Sequence, residues 1–317
     1  MNLPLKFALR YFISKKSSNA INIIAWVSVL GMLVGSLGLI IVLSVFNGFE
    51  GLVISLYNSF NPDYTITAQT GKSFTPDSIK LFELKKLDGV RAVSEVVEEN
   101  ALLTYEDKQY IATIKGVESN YGSITGIDSA MYMGNFNLQT GQEDFAVVGL
   151  GIEQALGINY DNPFGYLNVF VPRKDKHVAV NPEDAFNQGP IKPTGSFAIQ
   201  SEFDSKYIFV PISFARWLTG YDKQVSYLEV AVKKGVDESR IQKEIEKLMG
   251  TGFNVQNRLQ QNAVLYKVMR TEKWAVYAIL TLILIVAAFN IVGSLSMLVI
   301  EKKKDIAILK TMGADEP

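Results

Sequence analysis

The sequence predicts a membrane protein in which two transmembrane helices flank a large extracytoplasmic α+β domain. Residues 17–49 and 274–300 of the 317-residue chain carry no charged side chain, although 20% of the whole sequence is charged. Each stretch exceeds the ~20 apolar residues that a helix needs to cross about 30 Å of hydrocarbon. Buried helices of soluble proteins are the alternative, but they rarely run this far without a charge. The region between the two stretches mixes strand and helix patterns.

The flanking charges predict how the chain is oriented. The first apolar stretch is too long for a cleaved signal peptide and lacks a small-residue cleavage site, so we interpret it as an uncleaved anchor. Because Lys and Arg concentrate in cytoplasmic flanks, both ends of the chain are predicted to be cytoplasmic. Residues 50–273 then form an exported segment with 28 acidic and 23 basic side chains. The basic flanking residues are Lys6, Arg10, Lys15 and Lys16 before the first stretch and Lys302, Lys303 and Lys304 after the second.

These boundaries divide the chain into six predicted segments. Residues 1–16 form a cytoplasmic interfacial helix, for which a disordered basic tail is the alternative. A first transmembrane helix (20–47), an exported α+β domain (48–258), a stalk helix (259–273), a second transmembrane helix (274–300) and a cytoplasmic helix (301–317) follow. The stalk is predicted because helical spacing continues into the second apolar stretch without a helix breaker.

Within the domain, alternating apolar residues predict strands and turn residues delimit them. Strands are expected at 63–68, 90–97, 101–105, 109–117, 145–149, 165–171, 207–211 and 225–232. Four helices are expected in the domain. The first begins after Thr75, with Thr75 as the N-cap and Pro76 in the first turn. The second is short and ends at Gly157, and the other two lie at 212–219 and 236–249. We interpret residues 173–204, which contain His177 and several prolines, as a polar insert.

Composition excludes several kinds of chemistry. A net charge of −1 argues against a nucleic-acid partner, and the absence of Cys removes disulfides and thiolate ligands. Gly149-Leu150-Gly151 resembles a dinucleotide-binding loop only weakly, and a turn with a helix cap is the better interpretation. His177 has no nucleophile motif near it and is interpreted as a surface residue. We predict no catalytic residue, no metal ligand and no bound cofactor.

Three features in or next to the membrane spans remain as candidate sites. Small residues on one side of the first span, Gly31, Gly35 and Gly38, allow close approach of another helix. Asn290 is an amide within the second span and is expected to find a partner inside a helix bundle. After the second span, the sequence EKKKDIAILKTMGA predicts a short helix that ends at Gly313 and suits docking to a soluble partner.

Several motifs together resemble one family. They are VLSVFNGFE at 42–50, AAFNIV at 287–292 and DIAILKTMGA at 305–314. The chain is similar to the permease subunits of lipoprotein-releasing (Lol) ABC transporters within the MacB/FtsX-like superfamily, and the resemblance covers nearly all of it. It implies a MacB-like periplasmic core domain and a place in the bacterial inner membrane. Family members continue into two further membrane helices that this sequence lacks, so either the sequence is a fragment or the two helices come from elsewhere.

The resemblance also implies partners and sites. The family pairs two permease subunits, alike or different, with a separate cytoplasmic ATPase that binds ATP and Mg²⁺, and it passes lipoproteins to a periplasmic chaperone. The segment after the second span is then the ATPase-coupling helix, and Gly31, Gly35, Gly38 and Asn290 lie near the lipid path. The chaperone-docking hairpin corresponds to the part of the insert from about residue 173 to residue 192, with Arg173, Pro182 and Pro190. The coupling residues are Glu301, Asp305, Ile306, Leu309, Lys310, Met312 and Gly313.

Two other functions stay open at this point. One is a MacB-like or FtsX-like subunit that transmits force for export or for cell-envelope regulation without releasing lipoproteins. The other, of a different class, is an ectodomain for adhesion or sensing that is held in the membrane without an ATPase partner.

Overall fold

The computed structural model describes residues 19–58, 61–173 and 185–313. It divides into two compact units, one made of 1–52 with 264–317 and the other of 53–263. The helices are α1 (Asn19–Asn58), α2 (Ser78–Lys86), α3 (Tyr121–Thr125), α4 (Leu150–Leu156), α5 (Ser201–Asp204), α6 (Ile212–Thr219), α7 (Glu238–Met249), α8 (Arg258–Gln261) and α9 (Ala263–Thr311). The strands are β1 (Tyr64–Ala68), β2 (Val90–Tyr105), β3 (Lys108–Val117), β4 (Met131–Met133), β5 (Gln139–Thr140), β6 (Glu143–Gly149), β7 (Leu167–Pro172), β8 (Phe186–Phe197), β9 (Tyr207–Pro211), β10 (Tyr227–Val232) and β11 (Phe253–Asn257).

One half of the 53–263 unit is a four-stranded antiparallel sheet covered by two helices. Its strand order is β11-β1-β10-β2, and the chain order β1-α2-β2-β10-α7-β11 gives the βαββαβ arrangement of ferredoxin-like folds. Alternate residues of β1 and β10, such as Ile66 and Val230, pack against Ile241 and Ile245 of α7. The apolar spacing of α7 that the sequence reveals is therefore the face that covers this sheet.

The other half is a closed ring of strands. Strand β2 pairs with β3 and β7, and the ring continues through β9, β6 and β8 back to β7. Closure removes the exposed sheet edges. Buried residues from all six strands and from helices α4 and α6 form one core, with Leu103, Ile114 and Val148 fully buried. Strand β2 is long because its first part belongs to the four-stranded sheet and its second part to the ring.

The other unit contains the two long helices. Val29–Leu52 within α1 and Ala263–Met297 within α9 are long and apolar enough to cross a membrane, judged by length and composition. This arrangement confirms the predicted fold class of two membrane helices flanking an α+β domain. Residues 48–58, assigned from the sequence to the exported domain, continue helix α1. The predicted interfacial helix at 1–16 lies outside the described residues.

Three local predictions were wrong. Asp77, not Thr75, caps α2, because its side chain accepts a hydrogen bond from the amide of Ile79 at 2.8 Å. The strands expected at 90–97 and 101–105 are one strand, since β3 pairs with β2 without a break from Val97 to Tyr105. The stalk is interrupted at Asn262, between α8 and α9. The helix predicted after the second span is joined to that span, because α9 continues to Thr311.

Candidate functional site

An ion pair joins the two halves of the domain. Lys115 on β3 and Glu229 on β10 place Nζ and Oε1 2.7 Å apart, and their side chains are 12% and 2% exposed. The register of the sheet explains the position of Glu229, because Thr65 and Gln256 lie beside it on the face opposite α2 and α7. We call this contact the core ion pair.

Aromatic rings enclose the core ion pair. The Lys115 ammonium lies 5.2 Å from the ring centre of Tyr121, 5.7 Å from that of Tyr227 and 6.0 Å from that of Tyr207. Tyr227 also donates a hydrogen bond to Glu98. Burial by itself would lower the pKa of Lys115, but the charge of Glu229 outweighs it and raises that pKa well above its ordinary value. Burial raises the pKa values of Tyr121 and Tyr227, so the site holds a charged lysine among neutral tyrosines.

The core ion pair lies in the wall of a cleft of about 350 Å³ within the domain. Amide side chains from the first and the last residues of the domain's sequence line this cleft, including Asn61, Gln256 and Asn262. Glu229 Oε2, Asn61 Nδ2 and Asn262 Nδ2 are buried without a hydrogen-bond partner. Buried polar atoms are usually satisfied, so water or a bound polar group is expected to complete this arrangement. Among the described residues there is no group of three or more metal-ligating side chains.

A second ion pair joins the two long helices. Lys273 Nζ of α9 donates to Glu50 Oε2 of α1 at 2.7 Å, and the two side chains are 31% and 27% exposed. Partly buried positions recur at helical spacing on each helix and include both charged residues. On α1 these positions are Gly35, Gly38, Leu39, Leu43, Phe46 and Glu50, and on α9 they are Leu265, Tyr266, Lys273, Val276, Ala287, Ile291 and Ser294. Met269 and Leu280 of α9 are buried. We call the Glu50–Lys273 contact the boundary ion pair.

The structure places Gly35 and Gly38 on the partly buried stripe of α1 and leaves Gly31 and Asn290 exposed. Outside the backbone of α1 itself, a Cβ atom added at Gly31, Gly35 or Gly38 meets nothing within 4 Å, so packing against the described residues does not require glycine there. Asn290 is exposed and does not belong to the partly buried stripe of α9. A role for these residues toward another helix or toward lipid stays a prediction.

The predicted coupling segment is the last part of α9. The helix ends at Thr311, and Gly313 adopts a left-handed φ of +89° that favours glycine. Lys310 and Met312 are exposed, and Met312 is 78% exposed. Glu301, Asp305, Ile306 and Leu309 lie in the same helix by their backbone. This exposed helical end is compatible with docking, which stays a prediction.

The segment predicted as a chaperone-docking insert includes part of strand β8. Residues 174–184, with His177 and Pro182, lie outside the described residues. Arg173 and Ala185 face each other through a 2.8 Å backbone hydrogen bond at the base of this segment. Pro190 lies within strand β8 and pairs with Asn168 of β7, so the interpretation of this position as part of an insert was wrong, while its role in docking stays a prediction. It belongs to the ring of the domain.

The glycines of Gly149-Leu150-Gly151 have a packing role. A Cβ atom on Gly149 would lie 2.1 Å from the carbonyl oxygen of Asp204, and one on Gly151 would lie 2.4 Å from Ser205 Oγ. Helix α4 therefore starts against the backbone at the end of α5. The interpretation as a turn and helix start is confirmed.

Both ion pairs escaped the sequence analysis. The boundary ion pair has a signal that could have been used, since Glu50 is the first charged residue after the first uncharged stretch and Lys273 the last before the second. The core ion pair has no comparable signal, because its two residues are far apart in sequence and lie in ordinary alternating strands.

Comparisons with known proteins extend over both units. The family model described as MacB-like periplasmic core domain matches residues 25–248. LolC of Neisseria meningitidis, a lipoprotein-releasing system transmembrane protein, is 29% identical over an alignment that covers 98% of this chain and 74% of LolC. LolE of Haemophilus influenzae, of the same description, is 24% identical and covers 99% of this chain and 75% of LolE. The periplasmic region of MacB from Actinobacillus actinomycetemcomitans superposes with a TM-score of 0.45 at 13% identity, over 66% of this chain and 94% of that one. This last likeness is too distant to add to the assignment.

Proposed function

We propose that this chain is the permease subunit of a lipoprotein-releasing ABC transporter. The premise is that the chain belongs to the family defined by the MacB-like periplasmic core domain. The resemblance found in the sequence motifs is confirmed by relatives named for that system. One observation carries the proposal: similarity to these relatives runs through both long apolar helices and the domain between them. An adhesion or sensor ectodomain would not be expected to share its membrane helices with transporter subunits.

The proposed arrangement places the protein in the bacterial inner membrane as a multi-pass subunit. Its N-terminus is cytoplasmic and the domain is periplasmic, in agreement with the basic flanks of both spans. The partners are a cytoplasmic ABC ATPase, a second permease subunit, a lipoprotein substrate and a periplasmic chaperone. The chain itself is not an enzyme in this scheme, because the ATPase binds ATP and Mg²⁺ and hydrolyses the nucleotide.

The proposed mechanism uses helix α9 as a rigid link. Because the helix is continuous from Ala263 to Thr311, a displacement of its cytoplasmic end is transmitted across the bilayer. Closure of the ATPase dimer around ATP would move the coupling segment, and α9 would carry this motion to its extracytoplasmic start. A lipoprotein held between membrane helices would then be extruded to the chaperone.

Co-purification with the cognate ATPase tests the coupling step. Replacement of Ile306 and Leu309 by Asp places two charges on the face predicted to dock, and it is expected to reduce the bound ATPase at least tenfold. Thr311→Asp adds one negative charge to the opposite face and serves as the control. Equal recovery of the ATPase with wild type and with the double variant would contradict the assignment of this segment.

A further inference from the structure

Three buried polar atoms in the cleft beside the core ion pair have no hydrogen-bond partner among the described residues. They are Glu229 Oε2, Asn61 Nδ2 and Asn262 Nδ2, and we call them the three unpaired atoms. Lys115 occupies only the other carboxylate oxygen of Glu229, Oε1. Most buried polar atoms in folded proteins are paired, and leaving one unpaired is costly. The cleft therefore requires a bound group that both donates and accepts hydrogen bonds.

The cleft is larger than the three unpaired atoms need for a few ordered waters. At about 30 Å³ per water molecule, its volume of about 350 Å³ corresponds to roughly ten waters. A buried water is held in place by two to four polar partners, and three atoms hold only a small part of such a group. An organic molecule with several polar groups, of the size of one sugar ring, fills the cleft more completely.

The charges that line the cleft cancel each other. Lys115 is paired with Glu229 in the interior. The other two charged residues of the lining, Glu202 and Lys206, are exposed and have opposite signs. A charged ligand would bring an uncompensated charge beside Glu229, which is only 2% exposed, and its desolvation would be costly. The lining therefore favours a neutral ligand.

Aromatic rings form the apolar part of the wall. Phe203 and Tyr207 are half-buried, and their ring centres lie 5.6 Å apart with 33° between the ring planes. Aromatic surface beside a few polar groups is typical of pockets for small organic ligands. A pyranose sugar matches both parts of this wall, because it has an apolar C–H face and several hydroxyl groups. Each hydroxyl donates one hydrogen bond and accepts two.

A peptide is also neutral and polar, but the sheet beside the cleft does not suit it. Extended peptides commonly bind by adding a strand to the edge of a sheet. Strand β11 is the edge of the four-stranded sheet, and its residue Gln256 lines the cleft. The carbonyl oxygen of Gln256 already accepts a hydrogen bond from Gln261 Nε2 at 3.1 Å. This contact obstructs strand addition at that point, so the cleft favours a sugar over a peptide.

We infer that this cleft binds a neutral pyranose sugar, either as a free monosaccharide or as one unit of a glycan chain. Its hydroxyl groups donate to Glu229 and accept from Asn61 and Asn262, and its C–H face packs against Phe203 and Tyr207. Because the two asparagines come from the first and the last residues of the domain's sequence, a bound sugar ties these segments together. The inference goes beyond the proposed function and does not depend on it.

Sugar binding is tested on the full-length protein in phospholipid nanodiscs, which avoid detergents with sugar headgroups. Glucose and N-acetylglucosamine are expected to bind with a dissociation constant on the order of 1 mM, measured by saturation-transfer NMR, and to raise the midpoint of thermal unfolding. Sorbitol has the hydroxyl groups without the ring and should bind at least about tenfold more weakly. Tighter binding of a linear N-acetylglucosamine tetramer than of its monomer would support a glycan chain as the source, and equal binding would support a free sugar.

Two results of this experiment would overturn the inference. The first is that neither sugar binds, which would mean that water alone fills the cleft. The second is that an alanine dipeptide with blocked ends binds more tightly than both sugars, which would identify a peptide site. The experiment contains no ATPase, chaperone or lipoprotein, so its failure would leave the proposed function in lipoprotein release standing.

Substitutions in the lining locate the bound sugar. Asn61→Ala with Asn262→Ala removes two donors and is expected to weaken sugar binding at least about tenfold. Asn254→Ala removes an exposed amide of β11 outside the cleft and is the matched control. Thr65→Phe keeps both asparagines and adds a ring to the lining, so it should abolish binding and tests the site even if the double variant unfolds. Wild-type affinity in either lining variant would overturn the assignment of the site.

Discussion

The core ion pair and the boundary ion pair have the same length, 2.7 Å, in two different environments. Glu229 is 2% exposed and lies between two packed halves of a domain, whereas Glu50 is 27% exposed and lies between two helices. The domain buries its apolar strand residues in three clusters. The helices leave large apolar side chains exposed, such as Phe289 at 73% and Val45 at 66%. Packing of apolar side chains within the domain therefore holds its two halves together. The helices instead leave apolar surface available for contact with lipid and with other helices.

The largest effect is expected from breaking the core ion pair. Lys115→Met leaves the Glu229 carboxylate buried and without its cation, which should cost about 3–5 kcal/mol of unfolding free energy. Denaturant unfolding of the detergent-solubilised protein, followed by tryptophan fluorescence, measures this loss. The double variant Lys115→Met with Glu229→Leu should recover most of it, because no charge is left unpaired. A single variant within about 1 kcal/mol of wild type would remove the distinction between the two ion pairs.

The next effect tests how tightly the domain is packed. Gly149→Ala would bring a Cβ atom into the backbone of Asp204, which cannot rotate away, and the expected loss is about 3 kcal/mol. Gly252→Ala is the control, since a Cβ atom there meets nothing within 4 Å. Thermal unfolding of both variants gives the comparison. Equal stability of the two variants would show that α4 and α5 are not in close contact.

An alkaline titration examines the buried tyrosines and the lysine together. Burial raises the pKa of Tyr64 from 10.0 to about 12, so the folded protein keeps this proton where the unfolded chain loses it. The pKa of Lys115 is also raised, with the same consequence. Stability is therefore retained below pH 10 and falls as the pH rises from 10 to 12, with Tyr64 contributing about 1–2 kcal/mol.

Tyr64→Phe should make this decline with pH less steep. The variant also loses the 2.7 Å hydrogen bond from Tyr64 to the carbonyl of Glu238, so it should start about 1 kcal/mol below wild type at neutral pH. Parallel stability curves for the two proteins between pH 10 and 12 would contradict the burial of this hydroxyl.

The smallest effect is expected from the boundary ion pair. Lys273→Gln should change the unfolding free energy of the detergent-solubilised protein by less than about 1 kcal/mol, because a partly exposed pair contributes little to stability. The same denaturant titration as for Lys115→Met measures it. A loss comparable to that of Lys115→Met would mean that the boundary ion pair stabilises the protein as much as the core ion pair does.

The sequence predicted the regions in which one local pattern dominates. The two uncharged stretches, the alternating strand at 64–68 and the amphipathic helix that ends at Gly250 all carry their own signal. Strand β8 did not, because Pro190 and Pro193 normally argue against a central strand. The structure accommodates them because β8 pairs with β7 up to Ile191 and with β6 from Lys192, with a register shift near Pro193.

The candidate sites also differ in whether a local sequence pattern reveals them. The coupling segment and the membrane glycines could be proposed from local sequence, since each is a contiguous motif. The two ion pairs could not be found in this way, because Lys115 meets Glu229 only when the ring and the four-stranded sheet share strand β2. Glu50 meets Lys273 only when the two long helices are side by side, although the position of each charge at the edge of an uncharged stretch is visible in the sequence.

The most direct measurement is transfer of a labelled lipoprotein in a reconstituted system. The full-length protein is assembled with its ATPase and its second permease subunit in proteoliposomes, and the purified periplasmic chaperone is added outside. We predict that ATP with Mg²⁺ moves the lipoprotein to the chaperone, and that the Ile306→Asp and Leu309→Asp double variant abolishes this transfer. Lipoprotein that stays in the membrane with the wild-type complex, despite ongoing ATP hydrolysis, would contradict a function in lipoprotein release.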